Sequence, residues 1–132
     1  MNVERLTQLR DHILQLDPAR FNMNFWAVRR PDPEYDITLF NVERLNYAET
    51  IKHDCGTAAC IGGWAEALFQ PDGEITEVTE ATGELLGLTY DTAQRLFYPD
   101  SGTPAWDAKP HQAATVIDNL ITTGEVDWSI IK

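Results

Sequence analysis

The chain has 132 residues and a net charge of −11, with 43% apolar and 23% charged residues and thirteen Trp, Tyr and Phe side chains in all. That length suits one domain with one core, and that balance excludes global disorder. It contains no apolar run long enough to span a bilayer, and its start, MNVERLTQLRDHIL, carries charge from position 4 and has no signal-peptide core. A cytoplasmic protein with both cysteines reduced is therefore expected.

The charge is uneven. Residues 1–53 hold eight acids and seven bases, whereas residues 54–132 hold thirteen acids and three bases. The second part is expected to repel nucleic acid and anionic membranes. It suits a partner protein with a basic surface, and it also keeps the chain soluble.

In chain order, Val3, Leu6, Leu9, Ile13 and Leu16 recur at three- and four-residue steps and predict a helix over 2–16. Asp17-Pro18 ends it. The aromatic cluster FNMNFW, 21–26, is expected to fold back on that helix. RRPDPEYD, 29–36, reads as a proline-broken loop, and ITLFNV, 37–42, as a short strand or the lead into a helix over 42–52. A helix is predicted over 57–69, with Thr57 as its N-cap and Pro71-Asp72-Gly73 as its stop. It is apolar nearly all round and so should be buried nearly all round, with Glu66 its only charged residue. Gly62 and Gly63 inside it imply a closely packed neighbouring backbone. Val78, Ala81 and Leu85 predict a helix over 75–87 that presents Glu77, Glu80 and Glu84 on a flank and stops at Gly87. A short helix ending at Pro99 and a last helix over 110–123, opened by Pro110 and closed by Gly124, complete the pattern. Trp128, Ile130 and Ile131 should dock the tail. The expected fold is a single domain over 1–132, all-α or mainly α, around a buried central helix at about 57–69, with at most one short strand pair.

HDCGTAAC, 53–60, carries the sharpest chemical alternatives. Cys55, just before the predicted helix start, would have its thiolate stabilised by the helix dipole, with His53, His111 or His12 as base. DCGTAAC resembles the start of the central helix in papain-like peptidoglycan hydrolases, which implies a histidine offered from a packed sheet, an element the sequence does not predict. His53, Cys55 and Cys60, with His111 as a fourth, form the alternative metal set, although paired ligands at structural-zinc spacing are missing. Ordinary packing is favoured: Cys60 as a small buried hydrophobe and Cys55 filling a corner of the loop. No cofactor is expected.

EATGELLGLTYDTAQRLF, 80–97, has the pattern of a helix-turn-helix. Its only base is Arg95, so a helical hairpin is expected rather than a DNA reader. CGTAACIGGWA, with FNMNFW before it and LLGLTYDTAQRLFYP after it, resembles a family of small bacterial and phage proteins. That family shares Cys-Gly-Thr-x-x-Cys, Gly-Trp/His-Ala and a Leu-Phe-x-Pro stretch. The resemblance implies a bacterial or phage origin and carries no activity with it. The functional expectation is a small acidic binding protein with Glu77, Glu80 and Glu84 as its acidic face. The alternatives are a hydrolase-like cysteine enzyme with Cys55 as nucleophile and a small metal-binding domain using His53, Cys55 and Cys60.

Overall fold

A computed structural model of the chain describes residues 1–29 and 44–131. The element expected at 37–42 and all but Arg29 of the loop expected at 29–36 lie outside the described residues. Helix α1 spans Val3–Leu14; the Asn2 side chain accepts from the Arg5 amide at 3.0 Å and so caps it. Leu6, Leu9 and Ile13 form its buried stripe, while Val3, at the start of the predicted stripe, is exposed. A 3₁₀ turn at Pro18–Arg20 leads to β1, Ala27–Arg29. Phe21, Met23 and Trp26 join the core that α1 lines.

Helix α2 is Ala48–His53, later and shorter than the 42–52 expectation. The central segment departs from the predicted helix at its start. Thr57–Ala59 is a strand, β2, paired antiparallel with β1 through Ala27–Ala59, Val28–Ala58 and Arg29–Thr57. Helix α3 begins only at Ile61 and ends at Phe69, so Cys60 occupies the N-cap position in place of Thr57. The strand prevails because three residues of ladder satisfy backbone groups that a helix start would leave open. The expected burial of α3 holds from Ile61 to Ala67.

Helix α4, Thr79–Leu85, is shorter than the predicted 75–87 and leaves Glu77 outside it. Helix α5, Tyr90–Phe97, is capped by the Thr89 side chain. The two form a helical hairpin, packed so closely that a Cβ on Gly83 would lie 2.7 Å from that of Ala93. Helix α6, Pro110–Thr123, ends at Gly124 in the left-handed conformation and packs along α1. The tail folds back as expected through Trp128, whose indole N–H donates to the Arg95 carbonyl at 3.0 Å, but Ile130 stays exposed.

The architecture is thus mainly α with one short strand pair, and α3 at its centre touches α1, α2, α4 and α5. Trp64, Phe97 and the aliphatic stripes of α1 and α6 fill the core, each large side chain contributing about 1.5–3 kcal/mol. Among the described residues, no helix is long and apolar enough to cross a membrane.

Candidate functional site

The HDCGT segment builds a corner. Asp54 Oδ1 accepts from the Gly56 amide at 2.8 Å, and its other oxygen is ion-paired with Arg29. Arg29 first, then the Gly56 amide, hold this carboxyl below its ordinary value. Thr57 is fully buried, and its hydroxyl donates to the Asp54 carbonyl at 2.7 Å. The Arg20 guanidinium, lying over the Trp64 ring, donates to the carbonyls of Ile51, Asp54 and Thr57 and so closes the end of α2.

The cysteines are separated by that corner. Cys55 is exposed on its outside and does not fill it, correcting the packing expectation. It also follows the carbonyl end of α2 and does not precede a helix start, so the dipole argument for a thiolate loses its premise. His53 is exposed, with Nε2 3.0 Å from Glu49, and His111 is exposed in the first turn of α6. His12 packs on the Trp64 ring at 4.8 Å between centroids. Cys60 is 2% exposed. Burial pushes its thiol up to about 12, although the Gly62 and Gly63 amides favour the thiolate. Among the described residues, no three His, Cys, Asp or Glu side chains converge as a metal site, so His53, Cys55 and Cys60 do not form one.

The polar centre of the molecule is Glu66, which the sequence marks only as a lone acid in an apolar helix. Its side chain is completely buried. Oε1 accepts from the Trp26 indole N–H at 2.9 Å and the Glu77 amide at 3.0 Å. Oε2 accepts from the Thr76 amide at 2.8 Å and the Thr76 hydroxyl at 3.0 Å. None of these donors is charged, and together they saturate the carboxylate. The clamp joins two chain segments about fifty residues apart, the approach to β1 and the approach to α4.

The glycines serve the same end. A Cβ on Gly63 would lie 1.7 Å from the Trp26 carbonyl oxygen, and one on Gly62 would lie 2.4 Å from the Trp26 ring. The expected close backbone is therefore found at Gly63, and an indole takes its place at Gly62. Trp26 is held flat on α3 and stacks on Tyr98 at 6.1 Å and edge-on to Phe97 at 5.5 Å.

These rings wall a cleft of about 320 Å³, completed by Phe25 and Trp106, with Cys60 in its lining and Glu77 and Arg44 beside it. Glu77 has φ +60°, the one non-glycine residue at positive φ among the described residues. A larger cleft, about 690 Å³, lies on the other side of Tyr98 between Pro99, Pro104 and Trp128. It includes none of the groups clamped by Glu66.

No family model, curated protein or solved structure matches this chain.

Of the predicted acidic face, Glu80 and Glu84 lie exposed on α4, one helical turn apart. Glu77 lies ahead of that helix, paired with Arg44 at 3.3 Å and lining the smaller cleft. Trp26 and Tyr98 are site residues that the sequence announces only indirectly, through the lone acid and the double glycine of α3.

Proposed function

We propose that this protein is a small acidic binding module that docks on a basic surface of another protein. The observation that carries the proposal is the composition of the α4–α5 hairpin. Glu80 and Glu84 stand exposed on α4, and Val78, Tyr90 and Tyr98, at the ends of the two helices, are 49%, 57% and 44% exposed. Tyrosines supply contact area at low entropic cost, and carboxylates around them steer a basic partner and set its orientation. Ten more negative charges than positive ones in residues 54–132 extend that attraction beyond the contact itself. The resemblance to small bacterial and phage proteins supports a phage- or mobile-element origin.

The test is the pair Glu80→Lys and Glu84→Lys in one variant. Both side chains are exposed, so the far-UV spectrum and melting temperature should stay within the range of ordinary surface substitutions. Affinity capture followed by mass spectrometry should retrieve basic proteins with the wild type and lose them with the variant. Capture of the same proteins by both would remove the hairpin acids from the account.

A further inference from the structure

We propose that the cleft between Trp26, Tyr98 and Trp106 receives an arginine side chain of the basic partner, with Glu77 as its counter-ion and Glu66 as the residue that positions Glu77 and Trp26. This rests on the binding-module reading above and specifies its central contact.

The observations converge on the cleft from four directions. Five aromatic residues line it, Phe25, Trp26, Phe97, Tyr98 and Trp106, of which Trp26 and Phe97 are buried and Tyr98 is 44% exposed. Aromatic faces attract cations, arginine more often than lysine, because the planar guanidinium both stacks and forks onto a carboxylate. Glu77 contributes the carboxylate, from a backbone conformation that L side chains rarely adopt. Such conformations persist only where the surroundings enforce them, and they cluster at ligand clamps. Here the enforcing group is Glu66, which binds the Glu77 amide and the Trp26 indole through the same oxygen. A buried carboxylate thus fixes the acid and one aromatic wall relative to each other before any partner arrives, which lowers the ordering cost of binding.

The chain already displays the chemistry in its own Arg44. That guanidinium reaches Glu77 Oε2 at 3.3 Å, yet the Arg44 side chain is 71% exposed. The carboxylate is therefore reachable by a guanidinium from the solvent side, and the resident one is held weakly enough to be displaced. A volume of about 320 Å³ is at the small end of ligand pockets, which suits one long side chain and not a folded segment. The surrounding negative charge attracts the segment that carries the arginine.

Hexa-arginine serves as the probe, with hexa-citrulline as its neutral isostere. It is titrated into ¹⁵N-labelled protein at low ionic strength while the indole N–H resonances are followed and the affinity is measured by calorimetry. The expected result is movement of the Trp26 and Trp106 resonances with Trp64 unmoved, and no binding of the citrulline peptide. Glu77→Gln should raise the dissociation constant about tenfold, because a charge-assisted contact is lost. Arg44→Ala, which removes the competitor, should lower it. The Glu80→Gln/Glu84→Gln double variant should raise it less than Glu77→Gln does, through long-range attraction. Hexa-arginine binding that is unchanged by Glu77→Gln would overturn the cleft proposal and leave the basic-partner reading standing. Absence of hexa-arginine binding to the wild type would overturn both.

Discussion

Glutamine at position 66 would keep the shape of the buried side chain and break its logic. All four contacts of Glu66 are donated to it, by the Trp26 indole, the Glu77 amide and the amide and hydroxyl of Thr76. An amide has one acceptor oxygen, so only one pair of donors can be kept. The better orientation turns the oxygen to Trp26 and Glu77 and the NH₂ to Thr76. The Thr76 hydroxyl can rotate to accept, but the Thr76 backbone N–H then faces another donor. An orphaned N–H costs about 1–3 kcal/mol, and the two retained bonds each lose about 1 kcal/mol of charge assistance. The lower desolvation penalty of a neutral amide offsets part of this. The expected net loss is about 2–3 kcal/mol, or about 8–12 °C in melting temperature for a domain of this size. Urea denaturation should show the midpoint falling at constant m, since the unfolded surface is unchanged. A loss below about 0.5 kcal/mol, the level of an ordinary surface change, would refute the clamp.

Gly63→Ala puts a methyl 1.7 Å from a backbone oxygen that cannot move without the β1 approach, so a loss of at least about 3 kcal/mol is expected in the same urea assay. Thiol labelling of the native protein should modify Cys55 at once, whereas Cys60, buried and pushed up to about 12, should react only as fast as the protein unfolds. Mass spectrometry of the labelled sites tells the two apart. His12 is held below its ordinary 6.5, first by burial and then by the Arg20 cation, and its Nε2 is buried without a hydrogen-bond partner among the described residues. The unfolded chain then binds more protons than the folded one. The stability His12 contributes should be complete above pH 6.5 and lost as the pH falls from there through the lower folded value. Urea midpoints across that range should slope in the wild type and flatten in His12→Phe; equal slopes would contradict the assignment.

Those parts of the fold were legible in which one element carries its own signals. Helix α6 has an apolar stripe, a proline at its first position and a glycine just past its end, and its bounds match the prediction. Helix α1 and the α4–α5 hairpin are legible for similar reasons, although α4 starts later than its pattern predicts because Glu77 and Val78 fit a helical wheel as well as a loop. Strand β2 was hidden: three small residues have no period, and only pairing with Ala27–Arg29 makes them a strand. The difference reaches the chemistry, since a helix start at 57 would put the dipole beside Cys55, whereas the actual start puts it beside the buried Cys60. The double glycine correctly announced a close neighbour but not which one. Glu66 was visible as an anomaly, and its meaning depended on donors at positions 26, 76 and 77, brought together only by tertiary structure.

Hydrogen exchange at those donors tests the central claim most directly. The Thr76 and Glu77 amides precede α4 in irregular backbone, where exchange is ordinarily fast. If Glu66 clamps the cleft together, these two amides and the Trp26 indole N–H should exchange as slowly as the amides inside α3, opening only with the whole domain. Exchange at loop-like rates, with α3 still protected, would show that Glu77 and Trp26 are not held by the buried carboxylate.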